Sequence, residues 1–215
     1  MKTYLISCKG CEPRLEATRE HLNQHGVRHD VFRGINGHIA GLRTVHPYTV
    51  DDPTGTHFIT AGRVALNLNH WFIWNEAQRL GYPEVMVLED DVRVVQGFND
   101  YLAARIRDLH IIDPDWNFLY VGHLEGSDKA EHKGGCYQWT KGSIGKCARD
   151  PYGTHCYIAR ASAYPVLLDT QEKIFAGTDI NIWMLAIPVL RHYALVPPLA
   201  HQNRDDIYSV STLRD

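Results

Sequence analysis

Long apolar runs are missing from this sequence. No stretch has the length of a membrane span, and the N-terminus passes from Tyr4-Leu5-Ile6 straight into charged sequence without a signal-peptide-like apolar segment. A cytoplasmic protein with no transmembrane anchor is therefore expected. An excess of either charge is missing too: 22 Lys and Arg against 25 Asp and Glu leave a formal net charge of −3. The total offers no general affinity for nucleic-acid phosphate, so partners must be argued from sites. Cysteine is scarce, with five residues. Cys8 and Cys11 have the two-residue spacing of a redox or metal motif, but Cys136, Cys147 and Cys156 form no second close pair. Reduced, structurally ordinary thiols are expected.

What is present is enough for a core. A chain of 215 residues that is 44% hydrophobic suits one compact domain rather than a disordered segment. Thirteen histidines supply candidate ligands. The most informative stretch is Val85-Met86-Val87-Leu88 running into Glu89-Asp90-Asp91. The four apolar residues read as a strand buried on both faces, and the carboxylates then stand at its C-terminal end. In open α/β sheets that end faces the ligand crevice. Three adjacent carboxylates repel one another, and a divalent cation with hard oxygen ligands would relieve them. The alternative is a solvated loop.

The flanks supply the rest of an α/β sheet. Tyr4 to Ser7 reads as a strand, Glu12-Pro13-Arg14 opens a helix that Gly26 closes, Val27 to Phe32 alternates as a second strand, and Gly34 to Gly37 is a turn. His38 to His57 has no period and is expected as an irregular loop. Helical spacing holds from Thr60 to Leu80 and again from Gly97 to Leu109. Phe118 to Val121 is a strand that stops at Gly122, and Glu125 to Pro151 is expected as a long, glycine-rich loop. A strand over His155 to Ala159, helices over Ser162 to Thr170 and Asp179 to Ile187, and a last strand from Tyr193 complete the pattern. His201 follows the Pro197-Pro198 pair, where it suits a metal or phosphate ligand or else a surface histidine.

In this order the segments resemble the family-25 glycosyltransferases, the group with lipooligosaccharide and procollagen galactosyltransferases. The residues that carry the resemblance are Leu5-Ile6-Ser7 with Arg14, Gly34-Ile35-Asn36-Gly37, the helix start Gly62 to His70, and Val87 to Val92. Phe118 to Gly122, Gly153 to Arg160, Thr178-Asp179 and Pro197-Pro198-Leu199 with Gln202 continue it. Asn69 stands where the family has serine before its histidine. The resemblance implies a single-domain GT-A-type, Rossmann-like α/β fold with a mixed, mostly parallel sheet flanked by helices. The donor-nucleotide half would cover about residues 1–95 and the acceptor half about 96–205.

It also implies transfer of a sugar from a nucleotide diphosphate donor, a UDP-sugar, to a hydroxyl acceptor with Mn2+ or Mg2+, by inverting direct displacement. Strand alternation puts Glu89 and Asp91 on one side and Asp90 on the other. Asp91 is then expected on the metal with Glu89 and His201, Glu89 also reaching the ribose or a metal-bound water. Ser7, Arg14, Asn36, His70 and Asp90 are expected around the donor. Asp179 is the candidate general base, with a helix N-cap as its alternative role. Gly122, Thr154, His155, Tyr137 and Trp139 are assigned to the acceptor, which is a lipooligosaccharide, a protein side chain or a hydroxylated nucleic-acid base. The competing function is a non-catalytic nucleotide- or glycan-binding module.

Overall fold

Alternation along the strands sorts the core into two layers. In β1 (Lys2–Cys8), Tyr4 and Ile6 join one buried cluster while Leu5 joins the other. The computed structural model describes residues 1–40, 60–125, 143–145, 151–172 and 174–203. α1 (Glu12–Gln24) has Pro13 in its first turn, where no intrahelical N–H is needed. It ends in a Schellman turn: Val27 N–H bonds Leu22 O and Gly26 N–H bonds Asn23 O, with Gly26 at φ +66°. Val27 is buried because it belongs to this turn. For that reason β2 is Asp30–Gly34 and not the expected Val27 to Phe32.

Thr60 caps α2 (Ala61–Arg79), its hydroxyl accepting from Arg63 N–H at 3.3 Å. β3 (Glu84–Glu89) sends Val85 and Val87 to one cluster and Met86 and Leu88 to the other. β4 (Val92–Val94), α3 (Phe98–Ile112), β5 (Phe118–Glu125), β6 (Ser143–Gly145) and β7 (Pro151–Arg160) follow. α4 (Tyr164–Asp169) and α5 (Thr178–Asn181) precede a π-helical turn over Ile182–Ala186, then β8 (His192–Val196) and β9 (Ala200–Gln202). The expected loop over Glu125 to Pro151 thus contributes β6 and the ends of β5 and β7. Tyr137 and Trp139 lie outside the described residues, as do positions 41–59 of the first loop.

The strands form one sheet in the order β2-β1-β3-β7-β5-β8-β6, with β9 pairing both β4 and β5. The sheet is mixed, but parallel pairing does not predominate as expected. Pairs β1–β2, β1–β3, β5–β8 and β5–β9 are parallel, while β3–β7, β5–β7, β4–β9 and β6–β8 are antiparallel. β5 and β7 pair antiparallel although β6 lies between them in the chain and pairs with β8. Because β7 runs against β3 and β5, its early residues stand at the same sheet edge as their carboxyl ends. That edge collects the end of β1, the acidic turn after β3, Gly122, Thr154-His155 and β9.

Candidate active site

The acidic turn is held from three sides. Glu89 closes β3, and its Oε1 accepts from the Thr154 hydroxyl and lies 3.4 Å from His70 Nε2. Burial pushes the Glu89 carboxyl up, but His70 and Thr154 outweigh it and hold it below the usual range. Asp90 is buried, with Oδ1 2.6 Å from Arg14 Nη2, and its backbone carbonyl accepts from Thr18 Oγ1 at 2.6 Å. Burial raises the Asp90 carboxyl against the pull of Arg14 and the Ser7 hydroxyl. Asp90 thus faces Arg14 and Thr18 of α1; it lies with Asp91 in the turn between β3 and β4, so these contacts, and not the strand alternation expected from the sequence, set its direction.

Asp91 is the unresolved member. Its Oδ2 accepts from Gln202 Nε2 at 3.0 Å and its carbonyl from Asn203 N–H at 2.7 Å, while Oδ1 is buried without a hydrogen bond. Burial, followed by the charges of Glu89 and Asp90, pushes this carboxyl up to about 7. Among the described residues no group of three or more His, Cys, Asp or Glu side chains forms a metal cage. The orphaned carboxylate oxygen nevertheless fits a divalent ion of the kind held by one or two carboxylates plus substrate phosphates.

His70 is fixed by a chain of hydrogen bonds. The Trp74 indole can only donate, so Tyr157 Oη accepts from Trp74 Nε1 at 2.9 Å, and the same hydroxyl hydrogen-bonds His70 Nδ1 at 2.8 Å. His70 Nε2 is the atom that faces Glu89. All three residues are buried, so the chain is shielded from water.

Other expected residues stand elsewhere. His201 is exposed on β9, and alternation delivers its neighbour Gln202, not His201, to Asp91. Thr154 is buried with its hydroxyl donating to Glu89, and the buried Gly122 makes room for its neighbours. A Cβ at Gly122 would lie 2.6 Å from both Ala200 O and His155 Nε2. His155 is itself buried in that contact, and burial above all pushes it down to about 4. Asn36 spends its amide on Lys9 O and on the N–H groups of His38 and Ile39, so it pins a turn. Ser7 is buried beside Asp90, and Arg14 is committed to the same carboxylate.

Asp179 is not the N-cap, which is Gly177; its Oδ1 accepts from Ile180 N–H at 3.0 Å. Burial, with a contribution from the Glu89 charge, raises its carboxyl, and Arg63 opposes that. The short helix that carries it is clasped to α2. Asn67 donates to Ala176 O at 2.9 Å and accepts from Asn181 Nδ2 at 3.1 Å. Gln202, Thr18, Tyr157 and Trp74 were not assigned roles from the sequence. The signal for Gln202 and Tyr157 was the family resemblance, whose segments include both residues.

Comparison with known proteins adds the following. Residues 1–179 match the model of glycosyltransferase family 25 (LPS biosynthesis protein). A Homo sapiens protein named inactive glycosyltransferase 25 family member 3 is 31% identical over 136 residues, 60% of this chain and 23% of that protein. Mus musculus procollagen galactosyltransferase 2 is 21% identical over 136 residues, 60% of this chain and 22% of that one. The chain thus spans less than a quarter of the length of these two relatives. A crystal structure of a glycosyltransferase involved in glycosylating the major capsid of PBCV-1 has a TM-score of 0.53 at 11% identity, over 99% of this chain and 97% of that one. It shares the fold, a GT-A-type mixed sheet flanked by helices.

Proposed function

The chain belongs to glycosyltransferase family 25, and we propose that it transfers a sugar from a UDP-sugar to a hydroxyl acceptor with a divalent metal, Mn2+ or Mg2+. The observation that carries this reading is Asp91, whose buried Oδ1 has no hydrogen-bond partner and stands among like charges. When bound, the metal would neutralise charge growing on the leaving diphosphate. Asp91 would hold it, oriented by Gln202. Glu89, kept ionised by His70 and Thr154, would accept hydrogen bonds from the donor ribose or a metal-bound water. Arg14 holds Asp90 so that only two carboxylates face the donor.

Asp179 would take the acceptor proton as the hydroxyl attacks, giving inverting direct displacement. Its raised carboxyl suits a base working near neutral pH better than an ordinary aspartate does. The acceptor is a glycan such as a lipooligosaccharide, a protein side chain or a hydroxylated nucleic-acid base. No described helix is long and apolar enough to cross a membrane. A second reading, a module that binds nucleotide or glycan without turnover, is favoured by relatives whose names call them inactive. Incubation with labelled UDP-sugars and Mn2+ separates the two. UDP release supports the enzyme, and metal-dependent binding without release supports the module. Neither binding nor release would overturn both.

A further inference from the structure

The Cys8–Cys11 pair stands apart from sugar transfer. Its sulfur atoms lie 3.3 Å apart across the turn that joins β1 to α1. Cys11 N–H bonds Cys8 O at 3.1 Å, and Gly10 supplies the φ of +91° that the third position of such a turn requires. A turn of this kind keeps its end Cα atoms within about 7 Å, the span a disulfide needs. Cys11 immediately precedes the 13-residue helix α1, and Arg14 Nη2 lies 3.6 Å from its sulfur. A helix N-terminus and a guanidinium both favour a thiolate. In accord, Cys11 is pushed down to about 7, first by the Cys8 hydrogen bond. Cys8 is half-buried, Lys9 and Gly10 beside it are exposed, and Cys11 is buried behind them.

We infer that Cys8 and Cys11 form a redox-active dithiol site that exchanges with small disulfides. Cys8 hands its proton across the 3.3 Å contact to the Cys11 thiolate and attacks, as a thiolate, one sulfur of the small disulfide; it forms a mixed disulfide and expels a small thiolate, which takes that proton back from Cys11. The Cys11 thiolate then attacks Cys8 Sγ, closes the intrachain disulfide and expels the second small thiolate, which takes up the proton that Cys11 had released. Two electrons pass from the cysteine pair to the small disulfide, giving two small thiols. Cys11 never has to reach bulk solvent, because it acts only on its neighbour. The expectation of ordinary thiols is thereby revised for this pair, while Cys156, fully buried with its thiol pushed up, fits it.

The test uses the full chain in mixtures of reduced and oxidised glutathione, quenched in acid, alkylated and digested with trypsin. Trypsin cuts after Lys9, between the two cysteines, so a closed disulfide appears as two joined peptides. Excess oxidised glutathione should replace the alkylated peptides by the joined mass, and dithiothreitol should reverse this. In Cys11→Ser, Cys8 should instead stop at the glutathione mixed disulfide. Persistent alkylation of both cysteines in oxidised glutathione, or glutathione on both without the joined mass, would overturn the inference. The readout involves no sugar donor, so it stands or falls independently of the transferase reading.

Discussion

Replacing Asp91 by asparagine keeps the oxygen that accepts from Gln202 and removes one of three crowded charges. The carboxyl titrates near pH 7 in the folded chain against 3.8 in the reference state. Between those values the native state keeps a proton that the unfolded chain has released. Stability from this group therefore falls as pH rises through that window, and the full loss is present above about pH 7. A gap of about three pH units corresponds to at most about 4 kcal/mol. Screening by water on the open side of the turn reduces this to about 1–3 kcal/mol. For a domain of this size the expected gain in Tm is about 3–9 °C. Thermal melts of Asp91→Asn with a metal chelator should show that gain at about pH 8 and only a small part of it at about pH 4, near the bottom of the window that opens at the reference value of 3.8. On the proposed function, Mn2+ with UDP should stabilise the wild type, and the same variant should lose that stabilisation. Equal melting of variant and parent at the higher pH would refute the reasoning, because the carboxylates would then not be in conflict.

Asp179→Asn keeps the hydrogen bond from Ile180 but cannot accept a proton; turnover should fall about a hundredfold or more while Tm and donor affinity hold. His201→Ala should leave metal-dependent UDP binding near wild type and Gln202→Ala should weaken it, as calorimetry on the pair would report; the reverse order would return His201 to the site. Leu88→Ala opens a hole in the core layer shared with Leu5 and Val121 and should cost about 2–5 kcal/mol in denaturant melts.

The sequence made the central strand legible because burial on both faces and the acidic turn occur in one contiguous stretch. The helices were legible for the same reason, their apolar spacing being local. Partners far apart in the chain were not. Gln202 meets Asp91 across 111 positions and Tyr157 meets His70 across 87, and no local period announces either. β4, β6 and β9 have three residues each, too few to show alternation. β2 was misplaced because Val27, apolar and in phase, serves the turn after α1 instead of the sheet. His201 drew attention because it follows the Pro197-Pro198 pair; only the pairing of β9 with β4 reveals which face it and Gln202 take.

The placement of β7 bears on how the chain comes off the ribosome. β3 pairs β1 on one side, but its other edge waits for β7, with Val87 opposite Tyr157, about 70 residues later. At about 5–20 residues per second, that edge stays unpaired for several seconds during synthesis. A row of free backbone groups flanked by Val85, Val87 and Leu88 is a template for another nascent strand. Truncated chains that end before Pro151 should therefore aggregate, and adding back a peptide that covers β7 should rescue them.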